Sequence, residues 1–312
     1  MAFAMVFPGQ GSQSVGMLGA LIESQPAAAE AFAEAGDVLG YDLGRLVREG
    51  PAEELNRTEV TQPAMLTAGV AVWRAWRASG GAAPAAMAGH SLGEYSALVC
   101  AEALSFGAAL RLVRLRGQLM QQAVPEGAGA MAAILGLDDA DVEAACAGVP
   151  GVVEAVNFNA PGQVVIAGDA VAVAAAVERA KAAGARRAVP LPVSVPSHCR
   201  LMTPAAQGLA EALEAVDIRA PGVPVFHNVD AATRSAPDDI RAALAEQVRR
   251  PVRWVGCIEA MRASGADLFV EAGPGRVLAG LVRRIDKSLA AQSADDPDTL
   301  RSALAATRGT GA

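Results

Sequence analysis

Apolar and polar positions along the 312-residue chain change period several times, and each change marks an element. Ala2–Phe7 is an unbroken apolar run closed by Pro8-Gly9, which predicts a buried strand with a loop at its carboxyl end. Residues 62–79 follow a helical period through Ala64, Thr67, Ala68, Ala71 and Val72, with Pro63 in a first-turn position. Residues 83–88 are small and apolar and predict a weak strand ended by Gly89, with a helix over 94–103 behind it. Residues 104–122 predict a further helix, with Ala108, Leu112, Leu115 and Leu119 as its apolar stripe.

The middle of the chain changes rhythm. Strands are predicted at 129–137, 152–158, 163–167 and 185–191, with a turn at 159–162. Helices fall between them, one capped by Asp138 or Asp139 and running to about 147, the other capped by Asp169 and running to about 183. This strand-helix-strand-strand-helix-strand order is the split βαβ, ferredoxin-like motif. The expected division is a small subdomain at 128–191 inserted into a larger α/β domain formed by 1–127 and 192–312. Late strands are predicted at 224–228 and 266–271, and the end of the chain from Thr307 is expected to fray.

Composition narrows the function classes. A chain with 52% hydrophobic and 19% charged residues is not disordered, and at this length it needs no metal or disulfide staple. Net charge of −7 argues against a nucleic-acid binder working through a broad basic surface. Cys100, Cys146, Cys199 and Cys257 are widely spaced, and the three histidines do not form a metal-binding pattern, so neither a metal nor another cofactor is expected. There is no charged n-region at the start and no apolar stretch long enough for a bilayer. The expectation is a cytoplasmic protein without membrane or nucleic-acid partners, and a monomer suffices.

Gly89-His90-Ser91-Leu92-Gly93 is a GxSxG sequence between a predicted strand and a predicted helix. Such a turn exposes the serine hydroxyl above a helix N-terminus, which marks Ser91 as a candidate nucleophile. A serine needs a base. His90 should point away from the tight turn, and His227, at the end of a predicted strand, is read as core. His198, in the loop Ser194-Val195-Pro196-Ser197-His198-Cys199, follows the nucleophile in hydrolase-like order. No Asp or Glu stands out as its orienting partner, so a carbonyl is an alternative. The Leu92 N–H and a donor from Gly9-Gln10-Gly11 are candidates for an oxyanion hole, where losing one donor costs about 2.7–4 kcal/mol. Arg111 and Arg116 flank the predicted helical stripe on opposite sides, while Arg114 is placed on the solvated face. Either of the first two, turned toward Ser91, would clamp a carboxylate and imply an anionic acyl group.

Together with FPGQGSQ at 7–13, GHSLGEYSAL at 89–98, RLRGQLMQ at 114–121, NFNAPGQVVIAG at 157–168, PVSVPSHC at 192–199, VPVFHNVD at 223–230 and EAGPGRVLAGL at 271–281, these residues resemble the malonyl-CoA:acyl carrier protein transacylase family of type II fatty-acid synthesis. The resemblance implies a hydrolase-like parallel-sheet core with an inserted ferredoxin-like subdomain. It implies that Ser91 carries malonate from malonyl-CoA as an ester and passes it to the phosphopantetheine thiol of an acidic acyl carrier protein. His198 would be base and then acid, and Arg116 rather than Arg111 the carboxylate clamp. The Gln10 and Leu92 N–H groups would bind the oxyanion, and Gln247 would supply the carbonyl behind the histidine. Arg186-Arg187, Arg249-Arg250 and Arg283-Arg284 with Lys287 are candidate contacts for the carrier, and at least one pair is expected at the mouth of the site. A serine hydrolase, an acyltransferase with another acyl group and a noncatalytic carrier-binding protein are the competing readings.

Overall fold

A computed structural model describes residues 2–193 and 195–308, so Ser194 of the His198 loop and residues 309–312 lie outside the described residues. The strands are β1 (Ala2–Phe7), β2 (Ala86–Gly89), β3 (Gly129–Leu135), β4 (Val153–Ala160), β5 (Gln163–Asp169), β6 (Arg187–Pro190), β7 (Val225–Phe226), β8 (Ala266–Glu271) and β9 (Ala290–Ser293). The helices are α1 (Gly19–Ser24), α2 (Pro26–Leu39), α3 (Leu43–Glu49), α4 (Ala52–Leu55), α5 (Thr58–Ala78), α6 (Gly93–Cys100) and α7 (Phe106–Ala123). They continue with α8 (Asp139–Ala147), α9 (Ala170–Ala182), α10 (Thr203–Glu214), α11 (Pro237–Gln247), α12 (Trp254–Ala263), α13 (Val277–Ile285) and α14 (Pro297–Arg308).

The strands form two separate sheets. One is parallel, ordered β7-β2-β1-β8-β9, with helices on both faces as the continuous apolar strands require. β1 lies at its centre, and Phe7 pairs with Gly89 while Val6 pairs with Glu271. The carboxyl ends of three strands therefore coincide, and their following loops converge on one edge, where open α/β sheets place ligands. The second sheet is antiparallel, ordered β4-β5-β3-β6. α8 and α9 cover it with an apolar core of their own that includes Ile134, Val142, Ile166 and Val173. This is the ferredoxin-like arrangement. The small sheet is tied to the segment between α11 and α12, where Phe158 N–H donates to the Val252 carbonyl (3.0 Å) and Val252 N–H to that of Val156 (2.8 Å).

Several predicted boundaries shift for identifiable reasons. α5 begins at Thr58, so Pro63 sits inside the helix rather than in its first turn. The missing proline N–H leaves only the Glu59 carbonyl near the helix start without its partner. β2 includes Gly89, which pairs with Phe7 instead of ending the strand. β4 runs through Asn159 and Ala160 because both are buried in the sheet, leaving Pro161-Gly162 as the turn. Asp169 stands at the start of α9, but its carboxylate accepts from Val152 N–H (2.7 Å) rather than capping the helix. Asp138 likewise makes no side-chain cap. The stripe of α7 is rotated from the predicted one. Ala109, Leu112, Val113, Arg116 and Met120 are buried, whereas Ala108, Leu115 and Leu119 are half-buried. Arg114 is not solvated: it donates to the Leu39 carbonyl (3.2 Å) and lies over the Tyr41 ring. β7 is only two residues long, β9 has no counterpart in the prediction, and Thr307 is helical and buried in α14.

Glu271 ends β8 fully buried, and its carboxylate accepts from the Leu278 (3.1 Å) and Ala279 (2.8 Å) N–H groups at the start of α13. Burial outweighs these bonds and pushes its pKa up to about 7. A carboxyl raised on folding contributes stability that is complete below the ordinary carboxylate range and lost as pH rises through about 7. The loss expected is on the order of 3 kcal/mol. Urea denaturation at pH 5 and pH 8 should show it in the wild-type chain, and Glu271→Gln should flatten the difference. An equal pH dependence in both chains would refute the assignment.

Candidate active site

The turn between β2 and α6 is built by close backbone approach. A Cβ on Gly89 would fall 1.8 Å from the Gly93 carbonyl carbon, and one on Gly93 would fall 2.1 Å from the Phe7 carbonyl oxygen. Only glycine fits either position. Ser91 between them is left-handed, with φ of 51°, a conformation costing a non-glycine residue on the order of 1–3 kcal/mol. The surroundings hold it there. Asn228 Oδ1 accepts from Ser91 N–H (2.7 Å), and Asn228 Nδ2 donates to the Gly89 carbonyl (2.8 Å). Gln247 Nε2 donates to the Ser91 carbonyl (2.9 Å).

His198 reaches Ser91 from the loop before α10. Its Nε2 lies 2.8 Å from Ser91 Oγ, and its Nδ1 lies 2.7 Å from the Gln247 main-chain carbonyl. A carbonyl only accepts, so Nδ1 carries the hydrogen and Nε2 is left free to take the serine proton. His198 is buried and left-handed (φ 68°), with its N–H bonded to the Val248 carbonyl. Burial first, and the Arg116 charge second, push its pKa down to about 3. The imidazole is a neutral acceptor throughout the physiological range.

Arg116 lies 2% exposed on the inner face of α7. Its Nη1 donates to Gln62 Oε1 (2.8 Å), and its Nη2 to Ser91 Oγ (3.2 Å) and Gln247 Oε1 (3.1 Å). The guanidinium stacks over the Tyr95 ring, and its Nε has no partner. Every acceptor around it is neutral, and among the described residues no carboxylate pairs with it. Gly117 allows this placement, since a Cβ there would come 2.8 Å from Glu59 Cα at the start of α5. Arg111 is exposed on the same helix.

Gln10, Leu92, Ser91, Arg116 and His198 line one cavity of about 120 Å³. This is well below the roughly 300–1,000 Å³ of drug-sized ligand sites and suits a short acyl group. Gly9 packs against the turn, with a Cβ position 2.4 Å from the His90 carbonyl oxygen, and thereby fixes Gln10 next to Leu92. A larger groove of about 610 Å³ shares Gln10, Thr58 and Val193 with this cavity and contains none of Ser91, His198 or Arg116. The remaining histidines face elsewhere. His90 Nε2 meets Asn159 Oδ1 (2.7 Å) on the small sheet, and His227 Nδ1 meets Glu94 Oε1 (2.7 Å) in the core.

Sequence reasoning missed Glu94 and Asn228. Glu94 is fully buried in α6 and accepts from His227 Nδ1, Asn228 N–H (2.8 Å) and Gln247 Nε2 (2.8 Å). Its carboxylate supports the groups that support Ser91 and His198 and bonds to neither, while its main-chain N–H donates to the Ser91 carbonyl (3.1 Å). A buried-acid signal was available in its position three residues after the serine, on the first turn of the helix. Its partners lie more than 130 residues away, at separations of 133 and 134 for His227 and Asn228.

An activated serine, a neutral imidazole base and a buried unpaired cation can together transfer an anionic acyl group through a serine ester. The acyl transferase domain family matches residues 4–301. A malonyl CoA-acyl carrier protein transacylase from Escherichia coli K12 is 57% identical over 97% of this chain and 98% of its own length. One from Bacillus subtilis is 47% identical over 96% of each. The crystal structure of an acyl carrier protein S-malonyltransferase from Vibrio cholerae superposes with a TM-score of 0.95 at 54% identity, covering 97% of this chain and 99% of that one. A malonyl-transacylase solved in complex with its type II PKS acyl-carrier protein superposes at 0.97, also at 54% identity, over 98% of this chain and 100% of that one.

The position of His198 on the pH scale gives a direct test. Labelling of Ser91 by a fluorophosphonate should stay flat from pH 8 down to about pH 5, without the inflection near 6.5 of an ordinary histidine. Arg116→Met removes a charge that lowers the His198 pKa, so any acid limb should move to higher pH in that variant. A wild-type inflection near 6.5 would contradict the assignment.

Proposed function

This chain belongs to the acyl transferase domain family, and we propose that it moves a malonyl group from malonyl-CoA to the phosphopantetheine thiol of an acyl carrier protein through a malonyl-Ser91 ester. The observation that carries the proposal is the buried Arg116 guanidinium, 3.2 Å from Ser91 Oγ and without a carboxylate partner. A charge left unpaired in a buried site is costly, and an acyl carboxylate placed there relieves that cost. An acetyl group offers no such partner.

In the first half-reaction His198 Nε2 takes the Ser91 proton as Oγ attacks the thioester carbonyl. The Leu92 and Gln10 N–H groups receive the oxyanion, and the intermediate collapses to expel the thiolate of coenzyme A, which takes the proton from His198. In the second, His198 deprotonates the carrier thiol, the thiolate attacks the Ser91 ester, and Ser91 Oγ recovers its proton. The malonate carboxylate also offsets the Arg116 charge that holds the His198 pKa down. The substrate therefore makes the base stronger as it binds. The Gln247 carbonyl keeps the imidazole in one tautomer without adding a second negative charge to a pocket meant for an anion.

The same reading takes 128–191 as a small subdomain inserted between 1–127 and 192–312, supported by the separate apolar core under the antiparallel sheet. Arg249 and Arg250 directly follow the Gln247-Val248 segment that holds His198, which supports them as a contact for an acidic carrier. Both pair with Glu246, so their local charge is only partly offset. Among the described residues no helix is long and apolar enough to cross a membrane.

Intact-protein mass after brief mixing with malonyl-CoA tests the proposal. One malonyl increment is expected on the wild-type chain, none on Ser91→Ala, and discharge onto phosphopantetheinylated carrier protein. Free malonate without transfer would identify a hydrolase, and no increment with no malonate would remove malonyl transfer. Arg116→Ala should lower the preference for malonyl over acetyl by about 100-fold or more. Arg250→Glu should raise KM for the carrier and leave acylation by malonyl-CoA unchanged.

A further inference from the structure

Arg116 is not the sole polar group that the cavity directs at the acyl chain. Thr58 lines the same cavity, is 9% exposed, and its hydroxyl makes no hydrogen bond among the described residues. The hydroxyl therefore faces the cavity with its hydrogen uncommitted to the protein, free to donate to an acceptor that a bound group supplies.

Its position is fixed by the helix that carries the clamp. Thr58 is the first residue of the 21-residue α5, one turn before Gln62 on the same face. Gln62 accepts from Arg116 Nη1 at 2.8 Å, and the side chain one turn closer to the helix start on that face is Thr58. Gly117, beside Arg116 in sequence, packs against that helix start, and a Cβ there would lie 2.9 Å from the Thr58 carbonyl oxygen. A backbone contact thus sets the separation of Thr58 from Arg116. The end of a long helix adds partial positive charge on the same side. Much of the remaining lining is apolar, with Met120, Met131, Leu191 and Val193, while Asn157 and Ser197 are further polar side chains on it.

We propose that Thr58 is a specificity-determining residue whose hydroxyl donates to the acyl carboxylate held by Arg116. The inference rests on the malonyl-transfer reading and refines it. Arg116 supplies the charge, and Thr58 with the helix start fixes which way the carboxylate plane turns. Fixing it also orients the thioester carbonyl, one methylene away, toward Leu92 and Gln10. A neutral acyl group meets an unpartnered hydroxyl in addition to a guanidinium that has no carboxylate partner.

The experiment compares wild type, Thr58→Val and Thr58→Ser with malonyl-CoA and acetyl-CoA in competition, reading the two Ser91 adducts by intact mass. Steady-state KM and kcat for malonyl-CoA are measured in parallel. Valine keeps the shape and removes the donor, and serine keeps the donor. The malonyl-to-acetyl ratio should fall about tenfold in Thr58→Val, chiefly through KM, and return most of the way in Thr58→Ser. A wild-type ratio in Thr58→Val would overturn the proposal. So would an equal loss in both variants, which would mark Thr58 as a packing residue. A wild-type chain that gains no malonyl at all would instead overturn the reading of function, and this inference with it.

Discussion

One buried carboxylate organises the centre of this molecule. Glu94 has no access to solvent, and its two oxygens accept from His227, the Asn228 main chain and the Gln247 side chain. A buried carboxylate persists only when its acceptor capacity is filled, so the three segments that fill it are tied to α6. Asn228 then holds Ser91 in its left-handed conformation, and Gln247 supplies both the carbonyl behind His198 and an acceptor for Arg116. The acid absent from direct contact with His198 is present one layer deeper, with the amides of Asn228 and Gln247 standing between it and the site.

That displacement has an electrostatic logic. A carboxylate behind His198 would raise the imidazole pKa and place a negative charge where an anionic acyl group must come. A carbonyl fixes the same tautomer without that charge. On the proposed reading, the base is then weak in the empty enzyme, with Arg116 beside it, and gains strength when the substrate's carboxylate arrives. The charge balance on that reading favours a loaded pocket.

Local features were legible in the sequence, and distant ones were not. The apolar run Ala2–Phe7, the GxSxG turn and the alternation in 129–191 depend on neighbouring residues, and the structure follows them closely. The stripe of α7 was misread because the helix is packed by α5 and α10 across a wider face than a single stripe, which turns Arg116 inward. Asp169 and Arg114 found partners in other segments that local periodicity cannot see. Arg116 and Gln247 came from family resemblance and not from spacing. Glu94 and Asn228 went unassigned because their meaning lies in contacts between α6 and a loop after β7, far apart in sequence.

The central place of β1 bears on how the protein is made. β1 pairs on one side with β2 and on the other with β8, which is translated much later than either. At roughly 5–20 residues per second, its second edge stays unsatisfied for on the order of tens of seconds. Gln247 and His198 are likewise translated long after Ser91. On the proposed reading, the nascent chain carries Ser91 for much of its synthesis without the groups that would activate it, and the site is complete only with the closing of the sheet.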